Sequence, residues 1–287
     1  MSQQAFESLR RRLFGIAYRM LGSVEDAQDS VEEAYARFHE SQASGIENSE
    51  AWLVSVVTRL CIDRLRRAET ERAAYVGNWL PEPLATAGEL TPQQGLERRE
   101  QLSVAFLLLL ERLNGPERAV FVLREVFDYD YPLVAAAVGK SEAATRQLLH
   151  RAKEHVQQHH DGSDTRPLAR GLVQRFLSAL ERGDPQSLLE LLSPEVRLVS
   201  DGGGKVAAAR NVIEGADRVA RFFLGLRNKP GVATVHRQLE LNGAAGWVSL
   251  RHERTQATTV IECDAQRITA FYRVLNPDKL RALQASP

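Results

Sequence analysis

Apolar residues recur three and four positions apart from Leu9 to Arg67 and again from about residue 92 to Val156, and beyond residue 167 short runs appear in which apolar and polar residues partly alternate. The first spacing buries one stripe of a helix, the second one face of a strand. The switch predicts an all-helical first half and an α+β second half. In the second half, helices are expected at 168–182, 185–192 and 215–227, around a sheet of four to six strands. The strands are expected in "EVRLVSD", "TVHRQLEL", "GWVSLRHE", "TTVIECD" and "RITAFYRVL".

The helical half divides further. Leu13, Ile16, Ala17, Met20 and Leu21 make one stripe, and Ala27, Val31, Ala34 and Phe38 a second. After the break "SGIENSE" (44–50) the pattern resumes in "AWLVSVVTRLCIDRLRR" (51–67), so residues 1–70 read as one unit. The Pro- and Gly-punctuated "YVGNWLPEPLATAGELTP" (75–92) marks a linker over 71–91. Thr91 offers an N-cap before Pro92, opening a helix that runs to Leu113 and is ended by Asn114-Gly115-Pro116. Residues 92–157 form a second helical unit, 158–166 a second linker, and 167–287 the α+β unit. Two or three units suit a length of 287 residues.

Composition excludes several classes. No apolar run approaches the ~20 residues of a membrane span, and "MSQQAFESLRRRLFGIAYRM" reads as an amphipathic helix rather than a signal peptide. Cys61 and Cys263 lack any companion spacing, which points to two buried free thiols and a reducing cytoplasm. Thirty-seven Lys and Arg balance thirty-seven Asp and Glu. A protein that grips nucleic acid unaided relies on surplus cations; a subunit of a larger DNA-binding assembly does not need them.

The most informative stretch is "LVAAAVGKSEAATRQLLHRAKEHV" (133–156). Gly139 supplies a tight turn between two helical patterns, and Ser141 can cap the second. Thr145, Leu148, Leu149, Ala152 and Val156 fall on one side of that second helix, with Arg146, Gln147, His150 and Arg151 on the other. This is the pattern of a helix-turn-helix whose recognition helix offers Arg and Gln to bases and phosphates. In "VEDAQDSVEEAYARF" (24–38), Asp26, Asp29 and Glu33 stack on the face opposite the apolar stripe. Like charges at that spacing cost a helix a few tenths of a kcal/mol per pair, so the face is either merely solvated or made for a basic partner. Arg59, Arg66 and Arg67 lie near one side of the 51–67 helix with Asp63 placed to pair with them, a surface ladder or a DNA contact.

Together these stretches resemble regions two and four of extracytoplasmic-function (ECF) sigma factors of bacterial RNA polymerase. "NWLPEP", "DGGGK" (201–205) and "NPDKL" (276–280) resemble the subgroup that carries a fused SnoaL-like (NTF2-like) C-terminal domain. The resemblance implies two all-α sigma domains followed by a cone-shaped α+β domain. It implies RNA polymerase core and promoter DNA as partners, with no membrane, cofactor, metal or catalytic residue. By it, Asp26, Asp29 and Glu33 face the β′ clamp helices and region four meets the β flap. Arg59, Arg64, Arg66 and Arg67, with the 41–50 loop, lie near the minus-ten element, and Ser141, Glu142, Arg146, Gln147, His150 and Arg151 read the minus-thirty-five element. Glu32, where the family usually has glutamine, and Pro132-Leu133, where an acidic pair is common, are departures.

"DGGGK" superficially resembles a phosphate loop, but a Walker loop needs glycine where Val199 stands and Ser or Thr where Val206 stands. A glycine-permitted turn remains. The resemblance implies that it and "NPDKL" dock on the linker. In that contact Trp79, Leu80, Pro81, Glu82 and Pro83 meet Asp201, Gly202, Gly203, Gly204, Lys205, Asn276, Pro277, Asp278 and Lys279, and Lys205 and Lys279 pair with Glu82. SnoaL-like folds enclose a cavity open to a small-molecule ligand. A rival enzyme reading would draw on Asp201, His236, Arg251, His252 and Glu253, with His236 and Asp201 as an acid–base pair.

Overall fold

The computed structural model describes residues 3–41, 46–86, 102–157, 166–229 and 234–284. They fall into two compact units, one built from 1–74 with 105–160, the other from 75–104 with 161–287. Both expected helical stretches lie in the first of these units, and the linker residues from 75 on lie with the second.

In the first unit, α1 (Gln3–Leu21), α2 (Val24–Ser41) and α3 (Ser49–Ala73) pack together. Leu13, Ile16, Ala17 and Met20 of α1 are fully buried against Ala27, Val31 and Ala34 of α2 and Leu53, Val54, Val57 and Cys61 of α3. Burial pushes the Cys61 thiol up to about 12, against a weaker lowering by its hydrogen bond with Ser30. α4 (Val104–Leu110) and α5 (Gly115–Phe121) follow. Asn114-Gly115-Pro116 does more than end a helix. Asn114 caps α5 through a capping box with Glu117, and the proline sits in the first turn. The start of the helix expected at Thr91 lies outside the described residues. After a π turn (Val122–Val126) come α6 (Tyr131–Val138) and α7 (Glu142–Gln157).

The α+β unit begins with α8 (Arg166–Arg182) and α9 (Pro185–Leu191), then β1 (Leu192–Asp201), β2 (Ile213–Glu214) and α10 (Ala216–Arg227). The strands β3 (Val235–Leu241), β4 (Ala244–Arg251), β5 (Arg254–Cys263) and β6 (Ile268–Val274) complete a six-stranded sheet of order β2-β1-β6-β5-β4-β3. Only the β1–β6 pair is parallel. Alternation puts Val196, Leu198, Trp247, Ile261 and Phe271 on the face that α8, α9 and α10 cover, around Phe176 and Phe223. A 3₁₀ turn (Pro277–Leu280) and α11 (Arg281–Gln284) pack on β5. Cys263 is half-buried rather than buried, because it sits at the last position of β5, beyond a register shift with β6.

Candidate nucleic-acid interface and linker contact

The helix-turn-helix is built by local signals. Asp130 caps α6, its side chain accepting from the Leu133 amide with Pro132 in the first turn. Gly139 ends α6 at φ 67°, in the left-handed region where glycine is unstrained. The Ser141 hydroxyl accepts from the Ala144 amide at 3.2 Å to open α7. Thr145, Leu148, Leu149, Ala152 and Val156 are buried, while Ser141, Glu142, Arg146, Gln147, His150 and Arg151 are exposed. Arg146 pairs with Glu142 at 2.9 Å and lies 4.6 Å over the Tyr131 ring; Arg151 stands 3.7 Å from the buried Glu117. Gln147 has no partner among the described residues.

The arginines of α3 divide. Arg59 donates to the Ala136 and Ala137 carbonyls at 2.7 and 3.3 Å, filling orphan acceptors at the C-terminal end of α6. Arg64 lies on the acidic face of α2, 3.0 Å from Asp26, 3.7 Å from Asp29 and 3.9 Å from Glu33. Its guanidinium relieves the like-charge repulsion there and is set apart from Arg66, which pairs with Asp63 at 3.4 Å, and from the exposed Arg67. Glu32 is exposed beside that face. Beside α3 a cavity of about 500 Å³ opens, walled by Ile46, Glu47, Asn48, Ala51, Trp52, Ser55, Val56 and Arg59. Residues 42–45 of the expected 41–50 loop lie outside the described ones.

Three separate motifs of the second unit converge on one carboxylate. Asp201, fully buried, ends β1 on the face opposite Ser200 and the helices. Its Oδ1 accepts from the Tyr75 hydroxyl at 2.6 Å and the Gly203 amide at 3.0 Å. Its Oδ2 accepts from the Leu80 amide at 2.9 Å and pairs with Lys279 at 2.7 Å. Burial, with the hydrogen bond to Asp201, raises the Tyr75 pKa. Lys279 also donates to the Leu80 carbonyl at 2.6 Å and lies 4.3 Å over the Trp79 ring. Leu80, Pro81, Glu82 and Pro83 are buried and Trp79 half-buried, so the apolar linker residues do find a surface.

The glycines set the approach distance. Gly203, at φ 59°, would drive a Cβ to 2.3 Å from Asn276 Nδ2, and Gly202 would drive one to 2.6 Å from the Val206 carbonyl. Gly204, at φ 70°, faces Val76. Asn276 donates to Tyr75 at 3.0 Å and caps the 3₁₀ turn that Pro277 opens. Lys205 goes to Asp278, not to Glu82 as expected, because the turn points it at the 276–280 segment. That pairing leads the causes that hold the Asp278 carboxyl below the usual carboxylate range.

The contact continues past the expected motif. Leu84 exchanges hydrogen bonds with Asn242, Ala85 bridges Leu241, and the Thr86 hydroxyl accepts from the Gly243 amide. Asn242 and Gly243 both have positive φ, at 53° and 70°. They form the two-residue turn that Asn-Gly between apolar runs predicts, a signal legible in the sequence and missed. Arg251 ends β4, and His252 and Glu253 form a second such turn, exposed, with φ of 48° and 62°. The His236–Asp201 pair does not form. Asp201 points to the linker, whereas His236 Nδ1 lies 3.1 Å from Ser249 Oγ. Among the described residues no group of three or more His, Cys, Asp or Glu gathers to hold a metal ion, and no helix is long and apolar enough to cross a membrane.

A helix-turn-helix joined to a three-helix body with an acidic face is the architecture of a sigma subunit. Residues 5–71 match the sigma-70 region 2 family and residues 103–156 the sigma-70 region 4 family. The chain belongs to the ECF RNA polymerase sigma factors. It is 36% identical over 291 aligned residues to the ECF RNA polymerase sigma factor SigJ of Mycobacterium tuberculosis, covering 97% of this chain and 93% of the relative. It is 30% identical to the probable ECF sigma factor SigI of the same organism, covering 98% and 95%. The crystal structure of Mycobacterium tuberculosis SigJ superposes with a TM-score of 0.75 at 32% identity, over 97% of this chain and 98% of that one. The family is not an enzyme family.

Proposed function

We propose that this sigma factor joins core RNA polymerase in the cytoplasm through the acidic face of α2, against the β′ clamp helices, and through region four, against the β flap. It then directs the polymerase to promoters whose minus-thirty-five element α7 reads. The observation that carries this reading is the row Arg146, Gln147, His150 and Arg151, exposed on the second helix of a helix-turn-helix. The cavity beside α3 suits the melted minus-ten strand: Trp52 offers a stacking face, Asn48 and Arg59 hydrogen bonds. No observation favours a catalytic role.

The 75–86 segment, between regions two and four, is clasped by the C-terminal unit, and this clasp regulates promoter engagement. Arg59 serves DNA only after leaving the carbonyls of α6, so the arrangement described above is the closed member of a two-state equilibrium. A small molecule in the C-terminal unit shifts that balance.

The test is transcription run off a promoter library with purified core. Output confined to a subset of promoters and lost in the Arg146→Ala, Arg151→Ala double variant supports the reading. Unchanged output from the folded double variant overturns it, as does tight sequence-specific duplex binding by the free protein at physiological salt. For the clasp, Gly203→Val, Trp79→Ala and Lys205→Glu are expected to change run-off output and proteolysis between residues 75 and 92. Wild-type behaviour of all three overturns the regulatory role.

A further inference from the structure

The acidic face of α2 carries its own counter-ion. Asp26, Asp29 and Glu33 lie three and four positions apart on one stripe of the helix, where like charges repel. A single guanidinium from α3 answers all three. Arg64 Nη1 stands 3.0 Å from Asp26 Oδ1 and 3.7 Å from Asp29 Oδ2, and its Nη2 stands 3.9 Å from Glu33 Oε2. The Arg64 side chain is 26% exposed, against 51%, 57% and 41% for the three acids in order. The acids therefore stand outermost and the guanidinium lies deeper.

The three carboxylates are not equally engaged. Glu33 is held on both oxygens, by Arg64 through Oε2 and by Arg37 through Oε1. Asp26 and Asp29 each meet Arg64 through one oxygen, which leaves Asp26 Oδ2 and Asp29 Oδ1 without an ion pair among the described residues. Three carboxylates against two guanidiniums leave the row with one net negative charge. Arg64 is also badly placed for nucleic acid, because a phosphate approaching it meets the carboxylates first. Aspartate side chains are short and have few rotamers, so they point outward from a helix unaided. The guanidinium therefore changes the charge of this face more than its shape.

We propose that Arg64 attenuates the grip of this face on core RNA polymerase and takes no part in reading the minus-ten element. A basic group of the partner is drawn to each carboxylate and repelled by the guanidinium 3.0 to 3.9 Å behind them. Partly exposed ion pairs are weak, so a partner's arginine or lysine can engage the acids while Arg64 stays in place. Asp29, the most exposed acid and beyond hydrogen-bonding distance of Arg64, is the leading contact; Asp26 follows, and Glu33 is the least available. The inference rests on the reading of α2 as the core-binding face. It gives that face a set point, with affinity for core held below what three free carboxylates would reach.

The experiment titrates the fluorescently labelled full chain with purified core RNA polymerase at several salt concentrations, then measures binding of promoter fork DNA with core saturating. Arg64→Met is expected to bind core about two- to fivefold more tightly in about 0.1 M salt, the gain fading toward about 0.5 M as screening grows. Arg64→Lys keeps the charge and should return wild-type affinity. Asp29→Asn should weaken core binding more than Glu33→Gln, and the difference should narrow in the Arg64→Met background. A role in holding the fold or positioning the acids predicts the opposite sign for Arg64→Met. Weaker or unchanged core binding by the folded variant therefore overturns the proposal, as does Arg64→Lys binding as tightly as Arg64→Met. Fork binding weakened at saturating core, with core affinity unchanged, returns Arg64 to DNA and overturns it too. If the Asp26→Asn, Asp29→Asn double variant binds core like the wild type, the α2 reading itself fails. If that variant loses affinity and Arg64→Met gains none, the α2 reading stands and the attenuation alone falls. Should Arg64→Met fail to fold, Arg64→Gln, which keeps a hydrogen-bond donor for Asp26 without the charge, carries the same expectation.

Discussion

The recognition helix and the linker clasp are both rich in charge, and they hold it in opposite ways. On α7 the Arg146 and Arg151 side chains are 55% and 59% exposed, and their ion pairs with Glu142 and Glu117 stay within region four. In the clasp Asp201 and Lys279 are 0% and 13% exposed, and each ties segments far apart in sequence. An exposed ion pair contributes at most about 1 kcal/mol, because water solvates the charges almost as well as the partner does. A buried pair, once formed, cannot lose one member cheaply. The exposed set is therefore free to serve another molecule, whereas the buried set is committed to the protein's own architecture.

The largest expected effect tests the committed side. Asp201→Ala removes the acceptor of Tyr75, Leu80 and Gly203 and the carboxylate that Lys279 meets at 2.7 Å. Breaking such a pair costs about 3–5 kcal/mol. Urea unfolding of the C-terminal unit should show a loss of this order, together with faster cleavage within 75–86. A variant as stable as the wild type would erase the distinction between the two regions.

Next comes a comparison of two glycines in the same unit. Gly203→Val places a branched side chain at positive φ against Asn276, with a strain cost of about 1–3 kcal/mol before the clash is relieved. Gly225, inside α10, has open space around its Cβ position. Gly225→Ala should instead stabilise by up to about 1 kcal/mol, because alanine is the better helix former. Urea midpoints moving in opposite directions would sharpen the claim that approach distance, not glycine content, defines the clasp. Parallel shifts would break it.

On the exposed side, Arg146→Ala and Arg151→Ala should each leave stability within about 0.5 kcal/mol, as surface substitutions do. Each should weaken minus-thirty-five use by roughly 1–3 kcal/mol where a base edge is contacted. A phosphate contact would show instead as uniform weakening and a flatter salt dependence. Promoter titrations at several salt concentrations separate the two. A large stability loss would mean that the Glu117 contact of Arg151 matters more than its exposure suggests.

Local signals were legible in the sequence and long-range partners were not. Gly139 and Ser141 act within a few residues of themselves, so the helix-turn-helix can be read from its own letters, as can the helix-to-sheet switch after residue 167. Trp79 and Leu80 announced a need for burial because they are large and apolar in a segment without periodicity. Which cation met which anion was not legible: Lys205 goes to Asp278, and Arg64 leaves the other arginines for the acids of α2, because tertiary packing decides those distances. The contacts between the two sigma regions were also hidden. They include Arg59 with the α6 carbonyls, 77 and 78 positions along the chain. Arg273 looked like any polar residue of an alternating strand, and its burial on the core face, with Thr259 as its hydrogen-bond acceptor at 2.9 Å, emerges only from the register of the sheet.

The smallest expected effect concerns pH. His236 is partly buried, and burial lowers its pKa; the Arg273 charge lowers it further, and Glu181 acts weakly the other way. A lowered histidine pKa means the folded chain prefers the neutral ring. Its contribution to stability is therefore complete above the unfolded value of about 6.5 and is lost as pH falls below that value. His236→Asn retains a polar side chain opposite Ser249 and removes the titration, so the unfolding midpoint of the C-terminal unit should fall less between pH 7 and pH 5 than in the wild type. Arg273→Met should soften the wild-type slope in the same sense, because it removes the second cause of the shift while leaving the burial. A pH profile unchanged in both variants would show that His236 is solvated in the folded chain.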